Sequence, residues 1–442
     1  MLNMFPNSLS KRISSGINAQ VLGQVINIII RVAEIPLFLY FLDLESYALW
    51  IVLSSVSLYF LYSDGGFISA SRREMTRLIN TGFHSEAIIL FNANLHFIKW
   101  IAFGLTVIGV LLSLLVEDSL YSDVITGSNF TTILLLLVGH IVMVLLTLLF
   151  YCVFAAAGEY GRGTMFLSLG YAVEFLGLFA ALFIEVGLLQ AAMGLLLGRI
   201  IAVLCMFIAM KKRYFWLDLK MTPPDYRQLR LLLKPALASL SVPVSELLLI
   251  VTPRLIVSYF FGAQATVLFT TMRTLSRIAV RPVIAINRII EPEISIAVAS
   301  RNLLGYRMLF YRSILAAILI TCLISIISFF FGSEVFTFWT QGKLPFDNDL
   351  FLLFIVEGAF MGIATVLISF PSALNRHAKF AMAYIGLSLC TILIVFYAAG
   401  EYGLTGAALM LAFGSVSVAV AFSCLLIIHF GLVVRELKNN GS

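Results

Sequence analysis

The 442-residue sequence predicts an all-α polytopic membrane protein of about twelve transmembrane helices, arranged as two six-helix lobes related by a parallel pseudo-repeat. Three observations carry that prediction. First, hydrophobic residues make up 61% of the chain and charged residues only 12%, at a mean hydropathy of +1.03. The apolar residues gather in runs of about 20, the length a helix needs to cross a bilayer. Second, when successive connections are assigned alternately to the two membrane sides, 21 of the 29 Lys and Arg residues lie on or beside the side of both termini. The other side holds one, Lys343, and the remaining 7 fall within spans. This asymmetry predicts cytoplasmic termini. It also accounts for the net charge of +6 without a nucleic-acid partner. Third, EVGLLQAAMGLLLG from Glu185 and EYGLTGAALMLAFG from Glu401 share seven of fourteen positions at an offset of 216. An even number of spans per repeat makes such repeats parallel, as in transporters that bind substrate between two lobes.

Taken in order, Lys11 and Arg12 precede an apolar run with no small-residue cleavage site, so the chain is expected to begin with an uncleaved first span. The expected spans are roughly 17–41, 47–71, 88–116, 130–156, 164–184, 190–211, 231–258, 264–290, 308–331, 350–371, 381–399 and 404–430. The connection from Lys211 to Lys234 is the longest cytoplasmic one and contains Pro223 and Pro224, so it reads as the linker between an N-terminal lobe, 1–216, and a C-terminal lobe, 217–442. All five cysteines sit in apolar runs without metal-ligand or redox spacing and read as packing residues. Asp64, Gly65 and Gly66 read as a turn that ends span 2. The Gly194/Gly198 and Gly358/Gly362 pairs read as internal packing sites.

The eighth span carries Arg273, Arg277, Arg281 and Arg288, which at 100° per residue form one stripe within about 80° of arc. Each arginine at the bilayer centre costs about 2.5–3.5 kcal/mol, so three of them would cost about 8–10 kcal/mol unless they line water or meet anions. The alternative is a shorter span, 255–271, followed by a basic helix on the membrane surface. In span 1, Gln20, Gln24, Asn27, Arg31 and Glu34 share a face. In span 7, Pro235, Pro243 and Pro253 free carbonyls and allow a bend beside Ser239, Glu246 and Arg254. Lys99, Glu174, Arg199 and Glu357 complete the intramembrane ionisable set. Buried carboxylates couple ions or pair with arginines, and sequence alone does not separate the two roles. Ion coupling is expected of one among Glu34, Glu174 and Glu246.

There is no GxxxxGK[ST] loop, and the exoplasmic connections are too short for a folded catalytic domain. No metal site and no cofactor is expected, and the chain reads as a non-enzyme. The stretch LDLESYALWIVLSSVSLYFLYSDGGFISASRREMTRLINTG, from Leu42 to Gly82, resembles the second-helix region of the Wzx-type polysaccharide transporters. These are lipid-linked oligosaccharide, or O-antigen, flippases of the multidrug/oligosaccharidyl-lipid/polysaccharide exporter superfamily. The matching residues are Tyr47, Trp50, Asp64 and Gly65, and the AAGEYGRG turn after span 4 is similar too. The resemblance implies a bacterial inner-membrane protein with both termini cytoplasmic. It would flip undecaprenyl-pyrophosphate-linked sugar repeat units to the periplasmic leaflet through a cationic cavity, among membrane lipids and other polysaccharide assembly proteins. Arginine suits such a substrate, because its planar fork binds pyrophosphate bidentately and stays charged. Arg31, Arg273, Arg277 and Arg281 are the expected substrate ligands. The alternatives are a multidrug exporter of the same superfamily, whose cationic substrates this interior would repel, and a membrane-embedded glycosyltransferase or polymerase.

Overall fold

The computed structural model describes residues 7–116, 127–214, 226–374 and 376–439, and among them every regular element is helical. In order these are α1 (Asn7–Phe41), α2 (Leu44–Phe60), α3 (Phe67–Asn80), α4 (His84–Val116), α5 (Gly127–Ala156), α6 (Tyr160–Ile184) and α7 (Leu188–Arg213). They are followed by α8 (Tyr226–Ile250), α9 (Thr252–Ser276), a short 3-10 turn (Arg277–Ala279), α10 (Val280–Ala299), α11 (Leu303–Trp339), α12 (Asn348–Ala373) and α13 (Ala378–Asn439). Among the described residues nine helices are long and apolar enough to cross a membrane. Two of these long helices, which include α9 and α13, are interrupted at Gly262 (φ 73, ψ −161) and Gly403 (φ 71, ψ −162), a conformation that strains any residue with a Cβ. The breaks fall between the expected spans 7 and 8 and the expected spans 11 and 12. With α2 as a shorter apolar helix, the order of twelve spans is recovered. The chain is a multi-pass, all-α membrane protein.

Span 2 differs from expectation. α2 ends at Phe60, and the turn that follows takes Gly65 to φ 60 and Gly66 to φ 77. The Asp64 carboxylate accepts from the Gly66 amide (3.2 Å) and the Ile68 amide (3.0 Å), which starts a new helix, α3. α3 buries Ile68, Met75 and Leu78 and leaves Arg73 and Arg77 exposed. The basic connection is therefore largely an amphipathic helix.

The chain divides into two compact units, Met1–Leu240 and Ser241–Ser442, so the division lies inside α8. The central part of the Lys211–Lys234 linker, 215–225, with Pro223 and Pro224, lies outside the described residues. The first half of α8 packs within unit 1, where a Cβ on Gly66 would collide with the Ala236 carbonyl.

Unit 1 is built on α5, whose Leu145, Leu149 and Val153 pack with Phe91 of α4 and Met206 and Met210 of α7. α6 lies close against α7. A Cβ on Gly177 would come within 2.6 Å of the Gly194 carbonyl, and one on Gly198 within 2.7 Å of the Val173 carbonyl. In lipid the apolar effect does not press helices together, so small residues that admit close backbone approach take over that role. The Gly194/Gly198 pair is thus an internal packing site, as its spacing suggested. Unit 2 is centred on α12, which packs against α10, α11 and α13 through Val366, Phe370, Val418 and Phe422. α11 is patterned for lipid: Ser313, Ala317 and Thr321 face inward, while Leu315, Leu319, Ile326 and Phe330 are exposed.

Candidate functional site

Among the described residues each unit holds a buried cluster of charges. In unit 2 the cluster begins with a proline. Pro253 opens α9 and has no N–H to offer the Leu249 carbonyl, and the Arg254 amide turns to Val251 (3.1 Å), which leaves the Ile250 carbonyl free as well. Arg273, on the same helix beyond the Gly262 break and 3% exposed, donates to both carbonyls, to Leu249 through Nη2 and to Ile250 through Nη1 at 3.1 Å. Two further donors go to Glu357 of α12, Nε to Oε2 at 2.9 Å and Nη2 to Oε1 at 2.6 Å. The guanidinium also lies over the Phe269 ring at 5.8 Å. Arg273 thus closes a helix break and neutralises a carboxylate that is itself 2% exposed.

Arg277 stands one turn further on, with a side chain 18% exposed. Among the described residues its one hydrogen bond is a 3.5 Å contact from Nη1 to Glu357 Oε1, an oxygen already committed to Arg273. The stripe is not straight at this point. Pro282 cannot donate to the Ile278 carbonyl, and the backbone tightens into the 3-10 turn Arg277–Ala279 between Arg277 and Arg281. Arg281 is partly buried. Arg277 and Arg281 both lie within electrostatic reach of Glu246, an exposed carboxylate on α8. Tyr384 of α13, buried, lies within reach of Glu246, Arg277 and Glu357. Because Arg273 and Arg277 face α12, the part of span 8 that carries them is an interior helix and not a surface one. The Arg288 side chain, like those of Gln20, Pro235 and Ser239, lies outside the described residues.

In unit 1 the cluster joins α5, α6 and α7. Tyr171 and Glu174 are three residues apart and share one face of α6. Arg199 of α7, 1% exposed, donates through Nε to Glu174 Oε1 and lies over the Tyr171 ring at 5.0 Å. His140 Nε2 of α5 lies 2.5 Å from the same carboxylate oxygen. The close α6–α7 approach at Gly177, Gly194 and Gly198 brings these groups together. Of the helix 1 residues, Arg31 is exposed, makes no ion pair among the described residues and lies within electrostatic reach of Tyr171. Glu34 is partly buried, and the Asn27 amide turns back to the Gly23 carbonyl at 2.8 Å.

The structure therefore assembles Arg273, Arg277, Arg281 and Glu246 in unit 2 together with Glu357, and Glu174 in unit 1 with Arg199. Two partners carried no assigned role in the sequence. In the sequence His140 is a lone histidine within span 4, and Tyr171 is one aromatic residue among many in span 5. The available signal was the i, i+3 pairing of Tyr171 with Glu174, which points both toward any cation on the next helix.

No protein-family model and no curated protein sequence matches the chain. Solved structures do. An inward-facing multidrug resistance MATE family transporter of the MOP superfamily aligns with 95% of this chain and 96% of its own at a TM-score of 0.74 and 14% identity. An outward-facing multidrug resistance MATE family transporter aligns with 97% and 96% at 0.64 and 14% identity. A MOP-superfamily transporter from Pyrococcus furiosus, described as having a binding pocket of reverse polarity that suggests a different function, aligns with 96% of both chains at 0.63 and 14% identity. At that identity the likeness establishes architecture, and this chain has the two-unit helical fold of the MOP-superfamily transporters.

Proposed function

We propose that the chain is a transporter that flips a pyrophosphate-linked lipid oligosaccharide from the cytoplasmic to the periplasmic leaflet of a bacterial inner membrane by alternating access. The observation that carries this reading is Arg277. It is an intramembrane arginine whose single hydrogen bond among the described residues is long and shared, so its planar fork keeps donors for an anion. Arg281 stands beside it, and the Glu246 carboxylate lies within electrostatic reach of both. A pyrophosphate carries more negative charge than one carboxylate and displaces it. Arg273 has four of its five N–H donors engaged and in this reading positions the break between α8 and α9 without touching substrate. The long lipid stays in the bilayer while the head crosses.

The second reading is a multidrug exporter, favoured by the fold likeness to MATE transporters. Against it stand the cations of α9 and α10, which repel the cationic compounds expected of such exporters. The description of the Pyrococcus furiosus protein links pocket polarity to function within this fold. The test is leaflet-resolved translocation of a labelled lipid-linked oligosaccharide by the purified protein in proteoliposomes, run beside efflux of a cationic dye. Flipping that survives in part in Arg277→Lys and is nearly lost in Arg277→Ala supports the flippase. Dye export without flipping establishes the multidrug reading instead.

A further inference from the structure

A cavity of about 490 Å³ opens in unit 1 where α5 ends, α6 begins and α7 ends. Its lining is divided by chemistry. At the helix ends stand Arg162, Lys212 and Arg213, and along α6 run Met165, Phe166 and Leu169. At 1.5 Å per residue, Arg162 to Leu169 covers about 10 Å of depth, from charged rim to apolar wall. Met165 and Leu169 are 45% and 43% exposed. Glu159 organises the rim: it accepts from Arg162 Nη1 at 2.6 Å and from Arg213 Nε at 2.6 Å and 2.8 Å. Three cations and one carboxylate leave the rim with a net charge of two. Lys212 is exposed and makes no ion pair among the described residues.

A cationic rim at a helix end with an apolar wall one to two turns deeper matches an amphiphile that has a phosphate head and a hydrocarbon chain. We propose that this cavity binds an anionic phospholipid, with its phosphate among Lys212, Arg162 and Arg213 and an acyl chain along Met165, Phe166 and Leu169. A soluble anion would use the rim and ignore the wall. A zwitterionic lipid would use the wall and gain little from the rim. The site is independent of the charge cluster in unit 2 and of whatever substrate the protein carries.

The test is native mass spectrometry of the full-length protein in detergent, titrated with phosphatidylglycerol, with phosphatidylcholine and with inorganic pyrophosphate. Phosphatidylglycerol should be retained in preference to phosphatidylcholine. One surface charge near an anionic lipid is worth about fivefold in affinity, so Lys212→Ala should weaken phosphatidylglycerol about fivefold and Lys212→Glu about 25-fold. Leu169→Asp, which leaves the rim intact, should also expel the lipid. The proposal fails if phosphatidylglycerol retention is unchanged in both Lys212→Glu and Leu169→Asp, or if phosphatidylcholine is held equally well. It also fails if pyrophosphate alone binds with the same dependence on Lys212 while Leu169→Asp has no effect.

Discussion

Two arginines four residues apart, one in the last turn of α9 and one in the 3-10 turn that follows, have different partners. Arg273 fills the carbonyls that Pro253 leaves open and holds Glu357, whereas Arg277 reaches Glu357 only at 3.5 Å. Removing one partner of a buried pair strands the other charge, so Arg273→Ala or Glu357→Ala should cost about 3–5 kcal/mol of stability. Thermal unfolding of the detergent-purified protein should show that loss, while Arg277→Ala unfolds near the wild-type temperature and fails in transport. Equal melting temperatures for Arg273→Ala and Arg277→Ala would remove the distinction. The same logic assigns Glu174. With Arg199 almost wholly covered, Glu174→Gln should unfold several degrees early, and His140→Ala, which leaves the Arg199 pair intact, should cost only about 1–3 kcal/mol. A Glu174→Gln protein of normal stability that had lost ion-driven transport would instead make Glu174 the coupling residue.

At the scale of elements, small and cyclic residues decide where charges meet. Gly198 lets α7 approach α6 closely enough for Arg199 to reach Glu174, and a side chain there would collide with the Val173 carbonyl. Gly198→Val should therefore destabilise unit 1 by about 1–3 kcal/mol, with the stability of Glu174→Gln/Gly198→Val falling less than the two single effects combined. Additive losses would show that the crossing and the ion pair are independent. Pro282 shapes the other cluster. Pro282→Ala returns an N–H to the Ile278 carbonyl, so the 3-10 turn should relax toward α-helix, raise the melting temperature and turn Arg281 relative to Arg277. Transport by that variant should drop although the protein is more stable, and undiminished transport would mean that the turn has no part in the site.

For the whole molecule the prediction is topological. Reporter fusions at the N-terminus, within 215–225 and at the C-terminus should all report the cytoplasm, and one beside Lys343 should report the opposite side, because the basic residues are so unevenly shared. A periplasmic signal from the 215–225 fusion would invert the membrane side of every span around it. The cavity rimmed by Arg162, Lys212 and Arg213 would then face the periplasm.

Composition and the spacing of apolar runs were enough for the membrane class, the twelve spans and the internal duplication. The first two depend on local hydropathy, and the third on a match between two segments of the same chain. Gly187 and Gly403, matched in the repeat, indeed stand at corresponding connections, one before α7 and one at the break in α13. The Arg-Pro pair at 281–282 likewise contained the reason for the 3-10 turn, although a uniform 100° wheel passes over it. What only the tertiary structure decided was which charges are already spent. Arg273 and Arg277 look alike in sequence, as do Glu174 and Glu246. Their difference lies in contacts from residues far along the chain, Leu249, Ile250 and Glu357 for Arg273, and His140 and Arg199 for Glu174. Partner choice across helices is set by their crossing and rotation, and hydropathy, which records only that a residue sits at membrane depth, carries no information about either.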